Sequence, residues 1–428
     1  MIKILRNRSE FIKNSFKLVA GTAVAQAISI LVSPIITRLY TPADFGTFTF
    51  IISIVGGFGL IATLRYEMAI VLPKEDKNAV NLVFISLGTA FIMCLGIAIG
   101  IFVFNIWFLK SSLIYQAFKN WLYVIPVMVL LLSAGNVFQH WFNRHKDYKI
   151  LAFSKVVNSV GNNLCTLYLG FIGLGVWGLL IGNFLGLLFF NILFISVILS
   201  KYSEYLSHND RSVYKTLAIR YKELPLANTP QMLVELIQLY GIVFLLQAFY
   251  SSEIVGWYSL SQRLLQAPMW LIGTSLCQVY YKDASERFAQ NRNITEVLKK
   301  TIKMSIFIAL PVLILLLTIG PWLISFIFGD SWRESGEIAR ILAPWFFFDF
   351  IRYTISQTPL VIGKTRHMFY ISMIGAISMI IAVLTGAIFF NSAITGFIFL
   401  SAILSCYSIA VILWIVSSAK KAFTHENN

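Results

Sequence analysis

Residues 18–40 read LVAGTAVAQAISILVSPIITRLY, with no charged side chain before Arg38. About 20 consecutive, mostly apolar helical residues cross a bilayer hydrocarbon core, so this run predicts a transmembrane helix. It follows a basic segment, as the core of a signal peptide would. It is too long for one, however, lacks a small-residue cleavage site, and leads directly into another apolar stretch. It is therefore expected to stay as the first span.

Working outward, the same test finds twelve stretches: 17–39, 44–70, 79–107, 120–142, 149–171, 175–200, 224–249, 252–279, 303–328, 336–361, 367–390 and 394–418. Composition agrees, since 58% of the 428 residues are hydrophobic and 12% are charged, against about a quarter charged in soluble domains. The formal charge of +15 does not indicate nucleic acid, because the basic residues sit at helix ends instead of on one solvated face. With the N-terminus inside, 26 of the 34 Lys and Arg fall in inner segments, whereas the outer loops hold Lys110, Lys119 and Arg333, with Arg38 at a border. The positive-inside rule then makes both termini cytoplasmic. The outer turns Ser251–Glu253, Gly329–Gly336 and Phe390–Ala393 are short, which argues against an enzyme working outside. Cys94, Cys165, Cys277 and Cys406 show neither close pairing nor metal spacing and are expected to pack. His140 and His145 lack further ligands, so no metal or cofactor is expected.

Tyr40 and Gly46, at the first outer turn, recur 210 residues later as Tyr250 and Gly256. Gly178, opening the sixth span, recurs 218 residues on as Gly396. One six-helix plan therefore occurs twice. Each copy has an even number of spans, so the halves keep one orientation. The expected fold class is an all-α membrane protein of about 12 transmembrane helices, in two six-helix bundles related by a pseudo-two-fold axis along the membrane normal. The N-terminal lobe would be 1–200, the polar cytoplasmic linker 201–223 and the C-terminal lobe 224–428.

An Arg, Lys or Asp at a helix centre costs about 2.5–3.5 kcal/mol on insertion, so it usually faces a cavity or a partner. In the seventh span Asn228, Gln231, Glu235 and Gln238 share a helical face. In the eighth, Ser259, Gln262, Arg263 and Gln266 answer them. Counted from the turn at Ser251, Glu235 and Arg263 lie within roughly 6 Å in depth, which fits either a structural ion pair or a site shared by substrate and coupling ion. Thr22, Gln26, Ser29 and Ser33 stripe the first span, which the repeat aligns with the seventh, and this reads as a lumen face. Asp349 and Arg352, three apart, suit an ion pair within their own helix. Lys155, Asn158 and Asn162 stripe the fifth span, where Lys155 is near enough to the cytoplasmic end to snorkel. Arg65 and Glu67, near the inner end of the second span, read either as a structural pair or as a cytoplasmic gate.

Four runs carry a resemblance. Thr37-Arg38-Leu39-Tyr40-Thr41-Pro42-Ala43-Asp44-Phe45-Gly46 and Leu64-Arg65-Tyr66-Glu67-Met68-Ala69-Ile70-Val71-Leu72-Pro73 resemble the first two helices of Wzx-type polysaccharide flippases, of the multidrug/oligosaccharidyl-lipid/polysaccharide exporter superfamily. Phe328-Gly329-Asp330-Ser331-Trp332-Arg333-Glu334 and Ile341-Leu342-Ala343-Pro344 resemble that family's outer turn and tenth helix. The similarity runs in order along essentially the whole chain.

The resemblance implies a V-shaped cavity lined by helices one, two, seven and eight, and transport of an undecaprenyl-pyrophosphate-linked oligosaccharide to the outer leaflet. Such an oligosaccharide would be a repeat unit of O-antigen, capsule or exopolysaccharide. Related lipid II flippases keep basic residues in helices one, two and eight; Arg263 fits that pattern, whereas helix one here has Gln26. The candidate substrate-binding residues are Arg263, Gln266, Gln231, Asn228 and Gln26, with Glu235 for coupling to protons or sodium ions and Arg65 with Glu67 for the gate. Expected partners are the lipid-linked oligosaccharide and membrane lipids, with a glycan polymerase and a chain-length regulator as candidates, and no nucleic acid. Two rivals stay open: a multidrug cation exporter, which would favour carboxylates and aromatics in its lumen, and a membrane glycan polymerase or ligase.

Overall fold

A computed structural model describes residues 2–107, 122–268 and 272–424. Among them the chain is almost entirely helical, with no strand. The long helices are α1 (Ile2–Leu39), α2 (Pro42–Ile61), α3 (Asp76–Trp107), α4 (Ile125–Arg144), α5 (Tyr148–Phe171) and α6 (Val176–Lys201). After a short α7 (Tyr214–Arg220) come α8 (Thr229–Phe249), α9 (Ser252–Pro268), α10 (Thr274–Ala289), α11 (Thr295–Phe328), α12 (Arg333–Thr354), α13 (Thr365–Phe390) and α14 (Ala393–Thr424). Every expected span meets a helix. Eight described helices are long and apolar enough to cross a bilayer, and Leu224–Ile237 with Leu239–Phe249, bent by 48°, would make a ninth. α5 and α12, which carry polar and charged residues along their length, fall outside that test. Large apolar side chains point outward along the spans, with Phe307 80%, Phe389 77% and Leu31 76% exposed. Such surface belongs against lipid.

The boundaries differ from the sequence reading in informative places. The second span does not run to residue 70: α2 stops at Ile61, Leu64 and Arg65 take left-handed φ of 49° and 63°, and a 3-10 turn follows over Tyr66–Val71. The eighth span is described as α9, up to Pro268, and α10, from Thr274, with residues 269–271 outside the described residues. The tenth ends at Thr354, followed by a separate turn at Thr358–Val361. α1 and α11 begin earlier than expected, because polar residues extend a helix beyond the hydrocarbon. Lys110, Lys119 and the 120–121 start of the fourth span lie outside the described residues.

Two compact units result: Met1–Tyr40 with Thr47–Tyr240, and Thr41–Gly46 with Gly241–Asn428. In the first, α1 lies along α5, α5 along α6, and α3 and α6 pack on α4. One buried cluster joins Ile70, Leu82, Val137, Phe142 and Phe194; another joins Ile51, Val55, Met128 and Leu180. Arg144, ending α4, holds the α2–α3 connection by donating to the carbonyls of Ile70 at 3.1 Å and Pro73 at 2.7 Å and to Asp76 at 2.8 Å. Residues 203–223, on the sequence reading part of the 201–223 linker, dock on this unit. Leu217 is buried in its core with Tyr214, Ala218 and Tyr221 against it, Tyr66 Oη donates to the Ala218 carbonyl at 3.2 Å, and Asp210 N donates to Asn81 Oδ1 at 2.9 Å. Hydrogen bonds from the Ser212 hydroxyl and amide hold the Asp210 carboxyl below the usual carboxylate range.

In the second unit α12 packs on α9, α11 and α14, and α13 on α14. Thr41 and Asp44 form a reciprocal cap at the start of α2: Asp44 N donates to Thr41 Oγ1 at 3.2 Å and Thr41 N to Asp44 Oδ2 at 2.9 Å. Phe45 meets the edge of the fully buried Trp332 at 5.0 Å between centroids. The repeat is visible as contact. Gly46 and Gly256 lie against each other, so that a Cβ on Gly46 would sit 1.6 Å from the Ser252 carbonyl oxygen and one on Gly256 1.9 Å from that of Pro42. Each unit also packs its outer-turn tyrosine on the matching glycine: Tyr40 on Gly178 in the first, Tyr250 by Gly396 in the second.

Candidate functional site

In the first unit the polar stripe of α1 meets that of α5. Lys155 Nζ donates to Thr22 Oγ1 at 2.9 Å, Ser29 and Ser159 hydroxyls bond at 3.0 Å, and Asn163 Nδ2 donates to Ser29 Oγ at 3.1 Å. Gly21 permits the approach, since its Cβ position is 2.5 Å from that of Ala152. This corrects two expectations. Thr22 and Ser29 are partners of α5 instead of free lumen groups, and Ser33 is buried. Lys155 reaches across to α1 and does not snorkel to the rim. Gln26 alone of that stripe is half-exposed with no hydrogen bond among the described residues. The signal was available as two matching stripes, Thr22–Gln26–Ser29 and Lys155–Ser159–Asn163, which only pairing the first and fifth spans would have joined.

Arg65 and Glu67 come together at the break after α2. Their charged atoms are 3.5 Å apart, Thr63 Oγ1 donates to the other Glu67 oxygen, and Glu67 is only 4% exposed. A polar group this deep needs such partners to offset its desolvation. Further along the same unit, Gln231 and Glu235 are exposed, with Gln231 Nε2 donating to Glu235 Oε1 at 3.2 Å. Glu235 has no other partner among the described residues. Asn228 is the last residue of a π-helical turn, Leu224–Asn228, that leads directly into α8. Gln238's side chain lies outside the described residues.

In the second unit Arg263 stands exposed on α9, with Gln262 and Gln266 half-exposed on the same stretch. Neither amide is hydrogen-bonded among the described residues. Ser259 is occupied by the Gly256 carbonyl at 2.8 Å. A charged side chain in a membrane span usually faces a cavity or a partner. Asp349 and Arg352 are paired on α12 at 2.6 Å, as their spacing indicated. Glu235 belongs to the first unit and Arg263 to the second. No group of three or more His, Cys, Asp or Glu suited to a metal occurs among the described residues; His145 Nδ1 donates instead to the Trp141 carbonyl at 3.0 Å.

A sequence profile described as polysaccharide biosynthesis protein matches residues 35–337. The chain belongs to that family. No curated protein matches it in sequence. Solved structures give this family member its fold relatives. An inward-facing multidrug resistance MATE family transporter of the MOP superfamily superimposes with TM-score 0.70 at 14% identity, covering 92% of this chain and 96% of that one. The lipid II flippase MurJ, inward closed, gives TM-score 0.71 at 16% identity over 95% and 89%. A MOP superfamily transporter from Pyrococcus furiosus, described by the reverse polarity of its binding pocket, gives TM-score 0.53 at 15% identity over 95% and 96%. The chain shares the fold of these structures, and its long apolar helices make it a multi-pass membrane protein.

Proposed function

We propose that this protein is a flippase that carries an undecaprenyl-pyrophosphate-linked oligosaccharide from the cytoplasmic to the periplasmic leaflet of a bacterial inner membrane, with both termini cytoplasmic. The observation that carries the reading is Arg263: an exposed guanidinium on a membrane helix, next to two amides with unused hydrogen-bonding capacity. A pyrophosphate needs a substitute for water to cross hydrocarbon, and a guanidinium offers it paired, forked contacts. Gln266, Gln231, Asn228 and Gln26 supply partners for sugar hydroxyls, and the prenyl tail stays in lipid. Membership of a polysaccharide biosynthesis family supports the substrate class. Glu235, exposed and held among the described residues by Gln231 alone, is the group for a coupling proton or sodium ion. Arg65 with Glu67 would close the cytoplasmic side.

Deleting the gene and locating lipid-linked repeat units tests this reading. Complete units should accumulate on the inner leaflet; units already outside would point to a polymerase defect, and no accumulation to drug export. For coupling, Glu235→Gln is expected to cut transport by about ten-fold and to flatten its dependence on the proton or sodium gradient. Unchanged transport across varied gradients of both ions would remove Glu235 from that role.

A further inference from the structure

The α1–α5 seam of the first unit contains a charge that its packing does not need. Hydroxyl and amide bonds among Ser29, Ser159 and Asn163 already join the helices, Ser159 Oγ donates to the Ala25 carbonyl at 2.7 Å, and Tyr40 Oη donates to the Thr166 carbonyl at 2.7 Å. Lys155 adds an ammonium about two turns in from Tyr148. Its one partner among the described residues is a neutral hydroxyl, Thr22, at 2.9 Å, and no carboxylate lies within ion-pair reach of it there. An ammonium has three donors, so two stay open, and its charge is uncompensated in a segment that otherwise excludes charge. One turn along α1 from Thr22, on the same face, the half-exposed Gln26 amide also has no hydrogen bond among the described residues. A cation and an amide with open valences suit an oxyanion carrying hydroxyl or ester neighbours.

We propose that Lys155, with Gln26 one turn along α1 from its Thr22 partner, is an anion-binding site of the first unit for the phosphate of the transported lipid. This rests on the flippase reading and deepens it: the anion is received by each unit through its own cation, Lys155 in the first and Arg263 in the second. The Thr22 hydroxyl is the positioning group that holds the ammonium in place when the site is empty.

The test uses the full chain in lipid nanodiscs, titrated with undecaprenyl pyrophosphate and, separately, with inorganic pyrophosphate. Lys155→Met should weaken lipid binding by about ten-fold or more, and Lys155→Arg should keep it within a few-fold. The thermal midpoint of the empty Lys155→Met protein should hold or rise, because the variant removes an uncompensated charge without emptying the seam. Displacement of the lipid by inorganic pyrophosphate in wild type, diminished in Lys155→Met, assigns the contact to the phosphate itself; displacement unaffected by Lys155→Met contradicts that assignment. If Lys155→Met binds as wild type does while Arg263→Ala does not, the Lys155 site is overturned and the flippase reading stands. If the Lys155→Met midpoint falls together with its affinity and Thr22→Val reproduces both losses, Lys155 is a packing residue and the proposal fails. Wild type that binds neither probe overturns both readings.

Discussion

Arg263→Ala is expected to abolish surface glycan in a strain lacking the chromosomal copy, at unchanged abundance in the membrane. Truncating one partner of a close charge pair costs about 2–5 kcal/mol, so the affinity for the pyrophosphate should drop by about 30-fold or more. Arg263→Lys should restore part of the transport, since an ammonium keeps the charge but not the forked donor geometry. Gln266→Leu, which removes one neutral hydrogen-bonding group from α9 and no charge, should cost less than either. Quantifying surface glycan against wild type at matched expression decides the matter. Full glycan from Arg263→Ala would mean that the guanidinium serves the fold and not the substrate.

Alanine at Gly46 or Gly256 should prevent correct assembly. A methyl at Gly46 would lie 1.6 Å from the Ser252 carbonyl oxygen and one at Gly256 1.9 Å from that of Pro42. Both obstacles are backbone, which cannot rotate away as a side chain can. The expected loss is about 3 kcal/mol or more, read as a marked fall in the thermal midpoint and in the yield of monodisperse protein. Gly57→Ala is the control: it lies in the same helix, α2, with nothing within 4 Å of its Cβ position, and should be neutral or stabilising by up to about 1 kcal/mol. A midpoint for Gly46→Ala equal to that for Gly57→Ala would contradict the close crossing.

The apolar runs made the helices legible, and the repeat was legible too, because Tyr40, Gly46 and Gly178 and their later counterparts are tied to contacts that recur. What stayed hidden was local backbone geometry. Leu64 and Arg65 take left-handed conformations without a glycine or proline at either place, so nothing in the composition around 61–66 announced the end of α2. The π-turn before α8 likewise has no signature. For the site, single stripes could be read but not which stripes face each other. Thr22 and Ser29 looked like lumen residues until α5 supplied their partners, and Lys155 looked like a residue reaching for the interface. Arg263 was legible because a charge on an apolar helix is costly wherever that helix packs.

The docking of residues 203–223 on the first unit also bears on the order in which the chain is made. Those residues emerge from the ribosome before α8 and find their partners, Asn81, Tyr66 and the Leu217 pocket, already synthesised. The first unit can therefore close on itself while the second is still being inserted, as domains built from the N-terminus do. The exception is Thr41–Gly46, made early yet belonging to the second unit, which must wait for Ser252 and Gly256. That outer turn is the late, long-range closure of the molecule, and a nascent chain halted after residue 240 would carry a finished first half with one unsatisfied outer turn.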